Sequence, residues 1–431
     1  MEPMLDSQGR QRIVITGMGA MTPLGHSVRE SWHSALEGRS GIGPITQFDA
    51  SALPCRIAGE VKNFEAREFM NIKEARRMAR GSQLAIAAAV MALEDAHISL
   101  PLAQPERAGV VVGTGMGGFE RADENLQVYR EKGLSRTSPF ALISSLPNMP
   151  SHHVSFLAGT QGPINTVVAA CATGTQAIGE AADMIRRGRA DLMLAGGVEG
   201  LVHQAAMAGF AAMRALSTNF NGEPERACRP FDRDRDGFIL SEGAAVVVLE
   251  RLEDALARGA HIYAEYLGYA SSSDAYHVAA PDPSGAGAIR AMRWALENAG
   301  IPPHAIEYIN AHGSSTPVND LIETQAIKNV FGDQAYSIPV SSTKSVSGHL
   351  MGGAGAIEAV FCAMALHEGI LPPTWNYDNP DPECDLDYVP NAPRQTNPYY
   401  AMSNSFGLGG QNACIVLGKY TANGQDNLNL S

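Results

Sequence analysis

Asn165 to Ile185 reads NTVVAACATGTQAIGEAADMI: an apolar run, a turn carrying one cysteine, then a helix faced with Ala and Gly. Pro339 to Val360, PVSSTKSVSGHLMGGAGAIEAV, repeats that order with Lys344 and His349 on the turn. Two further stretches echo each other ahead of these. Ala85 to Ala96 (AIAAAVMALEDA) matches Ala288 to Ala299 (AIRAMRWALENA). Each of these helix-like stretches leads into a short strand ending at a glycine turn, Gly109 to Gly115 (GVVVGTG) and Tyr308 to Gly313 (YINAHG). Three matches in one order predict an α/β fold built from two duplicated halves.

Working outward, β-branched runs at Ile13–Thr16, Ala108–Val112, Ile164–Val168, Asp191–Ala195 and Ala245–Leu249 alternate with Ala-rich helical stretches. They predict mostly buried strands. No linker, low-complexity tract or solenoid repeat interrupts them. The 431 residues are 45% hydrophobic and 18% charged, enough to bury a large core in one large or two medium domains. Lys and Arg number 32 against 45 Asp and Glu, a net charge of −13 without any basic run. Nucleic acid is excluded as a partner on that balance. An acidic protein partner would need cations gathered locally, as at Arg186, Arg187 and Arg189; the same triplet also reads as a solvated helix end.

No apolar stretch reaches the roughly 18 residues of a membrane span, and Met1 to Arg12 lacks a secretory core, so the expectation is a cytoplasmic chain without membrane insertion. Cys55, Cys171, Cys228, Cys362, Cys384 and Cys414 lie far apart, with no C-x-x-C pair and no histidines at zinc spacing. Reduced thiols and no metal are expected.

Cys171 stands where a strand meets a helix N-terminus, whose free N–H groups favour a thiolate; a buried cysteine is otherwise an inert small hydrophobe. His312, in NAHGSSTP, and His349, five residues after Lys344, occupy similar strand-to-turn positions. Titratable groups at the ends of apolar strands are where α/β enzymes place their chemistry. A nucleophile with two imidazoles can hold an acyl group and stabilise an enolate. Asn404 to Asn412, NSFGLGGQN, lets backbone N–H groups approach a ligand, or is a plain turn.

Three motifs fail on inspection or stay secondary. Gly113, Gly115 and Gly118 satisfy G-x-G-x-x-G without the acidic strand end of a dinucleotide site. Asp232, Asp234 and Asp236 open like a calcium loop, but its twelfth position is Gly243. Ser341 and Lys344 form the S-x-x-K of serine acyl-enzymes without the companion motifs, and that reading is kept as the alternative from another class.

The segments VVAACATGTQAIG around Cys171, INAHGSSTPVND around His312, SSTKSVSGHLMGGAG around Lys344 and His349, and SNSFGLGGQN resemble the signatures of the elongating β-ketoacyl-[acyl-carrier-protein] synthases. RPFDRDRDGF from Arg229, SSSDAYH from Ser271 and GFAAMRALS from Gly209 match as well, and the resemblance runs from about Arg12 to Tyr420. It implies a thiolase-like five-layer αβαβα fold, with halves at 11–258 and 259–420, usually as a homodimer. Cys171 would accept the acyl group, and His312 and His349 would assist decarboxylation of malonyl-carrier in a Claisen condensation. Lys344 with Glu323 and Asp320 would order the polar network. Backbone N–H groups of Cys171 and Leu408 would form an oxyanion hole, Ser314 and Thr316 would bind pantetheine, and Phe210 and Phe406 would line the substrate site. No cofactor is implied beyond the phosphopantetheine delivered on acyl carrier protein. The implied pathway is fatty acid elongation, with a type II polyketide or secondary-lipid ketosynthase as the alternative. Initiating synthases carry Asn where His349 stands. The family has Thr where Ser314 stands and a gating Phe where Leu408 stands; Ala279, Ala280 and Ala79 also depart from its pattern.

Overall fold

The computed structural model describes residues 4–421. Ten strands join one hydrogen-bonded ribbon: β1 (Ile13–Met21), β2 (Ala108–Thr114), β3 (Ile164–Asn165), β4 (Leu192–Glu199), β5 (Gly243–Arg251), β6 (Ala264–Ser273), β7 (Tyr308–Asn310), β8 (Val340–Ser341), β9 (Tyr400–Gly407) and β10 (Gln411–Gly418). Their order is β8-β7-β9-β10-β6-β1-β5-β4-β2-β3. Read outward from the centre, β1-β5-β4-β2-β3 and β6-β10-β9-β7-β8 follow the same path. In each half the three outer strands are parallel and the fifth strand runs antiparallel between the fourth and the first. The duplication expected from the echoed helices is therefore a duplication of topology. The halves meet through a short seam, Ile13–Ile15 against Ala264–Tyr266.

Six helices complete the layers: α1 (Arg80–Asp95), α2 (Met149–Ala158), α3 (Thr173–Arg186), α4 (Ala286–Ala299), α5 (Pro317–Phe331) and α6 (Ala354–Glu368). α1 and α2 cover one sheet, α4 and α5 cover the other, and α3 and α6 pack against each other and against both sheets. The result is the five-layer αβαβα arrangement. Position in the layers explains composition. α4 buries one face and α1 is buried all round through Leu84–Ala89, whereas α6 is buried from Ala354 to Leu366 and is apolar there apart from Glu358. Small residues let the central helices touch: a Cβ on Gly174 would lie 2.5 Å from the Ala356 nitrogen, and one on Gly355 would lie 2.7 Å from the Thr175 nitrogen.

The strand expected over Ile164–Val168 is paired only at Ile164–Asn165. Beyond it the chain stays close to β2 through Thr114 N–H to Val167 O (3.2 Å) but turns away to present the cysteine. All six cysteines are free and buried.

Candidate active site

Cys171 sits on a tight turn. Ala169 N–H donates to Thr173 Oγ1 (2.9 Å), drawing the chain tightly into α3. Ala170 pays with φ of 47°, a left-handed conformation costly for a residue with a Cβ. Cys171 follows in a single 3₁₀ turn, Ala170–Ala172, at the foot of α3, and is 5% exposed. Gly407 backs the turn closely, since a Cβ there would lie 2.9 Å from the Cys171 nitrogen. The next residue, Leu408, turns its backbone N–H on the thiol. Burial pushes that thiol up to about 11, against the pull of the Lys344 charge and the Leu408 N–H. The expectation of a ready thiolate is thus corrected: the helix start is in place, but desolvation dominates and Cys171 rests as a thiol.

His312 leaves the end of β7, and His349 follows a short helical turn, Lys344–Ser347. Their rings are 5.3 Å apart and nearly perpendicular, at 80°. The His349 ring also meets the Phe238 edge (5.6 Å), and the His312 ring lies 5.9 Å from Phe406. Met351 N–H donates to His349 Nδ1 (3.3 Å), which places the imidazole proton on Nε2. That Nε2 is buried and has no hydrogen-bond partner among the described residues, and neither has His312 Nδ1. Burial, seconded by the Lys344 charge, holds both imidazoles well below their ordinary range. Both are neutral at pH 7 and able to donate a hydrogen bond without carrying charge.

Lys344 Nζ donates to His312 O (2.6 Å) and pairs with Glu358, on α6. Lys344 and Glu358 are 1% and 2% exposed. The resemblance implied that Lys344 with Glu323 orders the polar network, and both reach the His312 turn, although the ion partner of Lys344 is Glu358. Glu323 accepts the backbone N–H groups of His312 (2.8 Å) and Gly313 (2.7 Å), fixing the histidine turn, and takes a further bond from Asn404 (3.2 Å). Asp320 lies one step away, accepting Phe231 N–H (2.9 Å) and facing Arg235 (3.7 Å). Burial raises Glu323 and Glu358 to about 7. Glu358 is a residue that sequence reasoning missed; its signal was a lone carboxylate inside an otherwise apolar helix.

Cys171, His312 and His349 open onto one pocket of about 500 Å³. Ser314 and Thr316 line it with their hydroxyls joined (2.9 Å), and Phe210, Phe406 and Leu408 also line it. At its mouth Ala279 and Ala280 donate their N–H groups to His277 Nδ1 (3.1 and 3.0 Å). Two sequence readings dissolve here. Ser341 is buried, bonded to the Tyr308 hydroxyl (2.8 Å) and outside the pocket, while Lys344 is committed to Glu358, so the serine acyl-enzyme reading falls. Arg186 is no part of a basic patch: its guanidinium lies over the Tyr266 ring (4.8 Å) and donates to Leu267 O (2.7 Å).

The geometry agrees with comparisons to known proteins. Residues 10–255 match the family model of the β-ketoacyl synthase N-terminal domain, and residues 263–378 match that of the C-terminal domain. The chain is 49% identical to 3-oxoacyl-[acyl-carrier-protein] synthase 2 of Synechocystis sp. (strain ATCC 27184 / PCC 6803 / Kazusa), covering 95% of this chain and 99% of that one. A β-ketoacyl synthase structure from Burkholderia phymatum STM815 superposes with a TM-score of 0.89 at 36% identity, over 95% of this chain and all of that one. A type II polyketide synthase acyl-carrier protein in complex with its ketosynthase superposes with a TM-score of 0.88 at 34% identity, over 96% of this chain and all of the matched one. A duplicated thiolase-like fold with a cysteine and two neutral histidines in one pocket, matched over nearly its whole length, places this chain in the β-ketoacyl synthase family.

Proposed function

We propose that the protein catalyses decarboxylative Claisen condensation of an acyl thioester, held on Cys171, with malonyl-acyl-carrier-protein, giving 3-oxoacyl-carrier and CO2 in fatty acid elongation. The observation that carries this reading is the pairing of a resting thiol with the unpartnered Nε2–H of His349 in one pocket. In the first half-reaction the Cys171 sulfur attacks the acyl carbonyl, the Leu408 and Cys171 N–H groups hold the oxyanion, and the departing pantetheine sulfur takes the thiol proton. In the second, the malonyl carboxylate leaves as CO2 and its electron pair passes into an enolate whose oxygen accepts from His312 and His349. The carbanion attacks the acyl-Cys171 carbonyl, the C–S bond breaks, and the released thiolate takes a proton from solvent, the one proton the overall condensation consumes. Neutral imidazoles suit the second half: they stabilise the enolate oxygen by donation yet leave the malonyl carboxylate without a fixed cation that would retain it. Ser314 and Thr316 hydrogen-bond the pantetheine arm, so no resident cofactor is required.

The partner is an acyl carrier protein, as in the solved polyketide complex. Identity of 49% to a synthase 2, against 34% to the polyketide ketosynthase, favours fatty acid elongation. A second copy of the chain is the other partner: β3 ends the ribbon with its outer edge unpaired among the described residues, and Ile164, Val168 and Phe156 are exposed beside it. A cytoplasmic setting fits the free cysteines, and no helix among the described residues is long and apolar enough to cross a membrane. Purified protein given acyl-carrier and malonyl-carrier should yield 3-oxoacyl-carrier by mass spectrometry. Cys171→Gln should abolish that product while CO2 release from malonyl-carrier persists. Condensation by Cys171→Ala at the parent rate refutes the assignment.

A further inference from the structure

Glu199 ends β4, is fully buried, and has no place in the chemistry above. Its carboxylate gathers four donors: Thr114 Oγ1 (3.0 Å) and Met116 N–H (3.3 Å) on Oε1, Gly115 N–H (2.8 Å) and Gly352 N–H (3.2 Å) on Oε2. The first three come from Thr114, which ends β2, and from the turn that follows it, in the first half of the fold. Gly352 belongs to the second half, in the turn Met351–Gly353 that opens α6. The two turns approach until a Cβ on Gly352 would lie 2.5 Å from the Gly115 nitrogen. At that distance only a shared acceptor keeps their N–H groups satisfied. A carboxylate offers about four lone-pair sites, whereas a carboxamide has one acceptor oxygen and adds two donors.

Met351, next to Gly352, holds φ of 48° and donates the N–H that fixes the His349 tautomer. Glu199 therefore grips the residue adjoining the one that aims His349. From these contacts we infer that Glu199 is a positioning residue for the malonyl half-reaction, clamping the Gly115 and Gly352 turns together so that His349 Nε2–H points into the pocket. Burial raises Glu199 to about 7, so at pH 8 it is ionised and its negative charge also opposes thiolate formation at Cys171. One carboxylate thus serves the histidine and restrains the thiol, two effects of opposite sign on the two half-reactions.

The inference rests on the condensing function proposed above, and the test separates the two. Parent, Glu199→Gln and Glu199→Asp are compared at pH 8 in three measurements: CO2 release from malonyl-carrier, self-acylation of Cys171 by acyl-carrier, and alkylation of Cys171 by iodoacetamide. Glu199→Gln should lose at least tenfold in CO2 release, keep self-acylation within about threefold, and alkylate severalfold faster. Glu199→Asp keeps the charge but withdraws it by one methylene, so it should lose CO2 release without the gain in alkylation. If Glu199→Gln does not fold, the split between half-reactions in Glu199→Asp decides alone. Equal loss of CO2 release and self-acylation, or undiminished CO2 release, overturns the positioning role. A parent protein inactive in both half-reactions overturns the proposed function instead.

Discussion

Lys344→Met tests the polar network most directly, because the change keeps the length of the side chain and deletes its charge. Lys344 and Glu358 are both nearly inaccessible, and Nζ has a second bond to His312 O. Removing one partner of a buried ion pair costs about 3–5 kcal/mol, since the remaining charge is stranded. The variant escapes part of that cost by protonating Glu358, and this gives the penalty a pH signature. In the parent, Glu358 is raised from the ordinary 4.5 to about 7, so its carboxyl draws a proton on folding and stability falls as pH rises between those values. Above about 7 the parent carboxylate ionises against Lys344 and the fall stops. Without Lys344 the folded-state value moves higher still, and the fall continues at about 1.4 kcal/mol per pH unit. The difference between variant and parent should therefore widen by about 2 kcal/mol from pH 7 to pH 8.5. Neighbouring carboxylates such as Glu323 titrate in both proteins and cancel to first order. Urea denaturation at both pH values measures the difference, and Lys344→Met/Glu358→Gln, which removes both charges, should recover most of the stability and show no widening. A penalty that is flat or shrinks with pH, or a double variant no more stable than the single one, refutes the reasoning.

Three further outcomes follow from the site. His312→Ala and His349→Ala should each lower CO2 release from malonyl-carrier at least a hundredfold while self-acylation of Cys171 stays within tenfold; equal loss of both in a folded protein would make the histidines structural. Because the Cys171 thiol is pushed up to about 11, its alkylation rate should climb about tenfold per pH unit from 7 to 9 without a plateau, and a plateau near pH 7 would overturn the burial argument. Leu408→Phe adds a ring beside the pocket; aromatic packing worth about 0.5–1.5 kcal/mol would shift a gate population two- to tenfold, so kcat/KM across acyl-carriers of graded length should discriminate more sharply. An unchanged or broader profile sinks that idea.

Cys171, His312 and His349 were legible in the sequence because each interrupts an apolar strand-to-turn pattern with a side chain that such a pattern does not need. The partner of Lys344 was not. Hydrophobic periodicity points to faces, and α6 has none: it is buried all round, so Glu358 sits where no pattern separates a charged site from a core position. The resemblance supplied Glu323 for the network, and the fold uses it on the backbone N–H groups of the histidine turn. Arg186 misled for a related reason. Three arginines in four residues read as a solvated patch, but the helix end carries Arg186 against β6, where Tyr266 and the Leu267 carbonyl receive it. Strands of two residues, such as β3 and β8, fall below the length at which alternation can be read at all.

The duplication explains why Cys171 and the histidines face one pocket. Ala170–Ala172 before α3 and Met351–Gly353 before α6 are the same turn in the two halves, and each opens on a non-glycine residue held near φ of 47–48°. Cys171 and Gly352 are therefore equivalent positions. Where the first half carries a thiol, the second carries no side chain, and a Cβ there would collide with Gly115. Glycine at 352 lets its turn close on Gly115, with Glu199 as the acceptor shared by their two N–H groups, while Met351 beside it donates to His349. The asymmetry between a cysteine half and a histidine half is, on this geometry, a packing requirement of the contact between the Gly352 turn and Gly115 as much as a division of chemical labour.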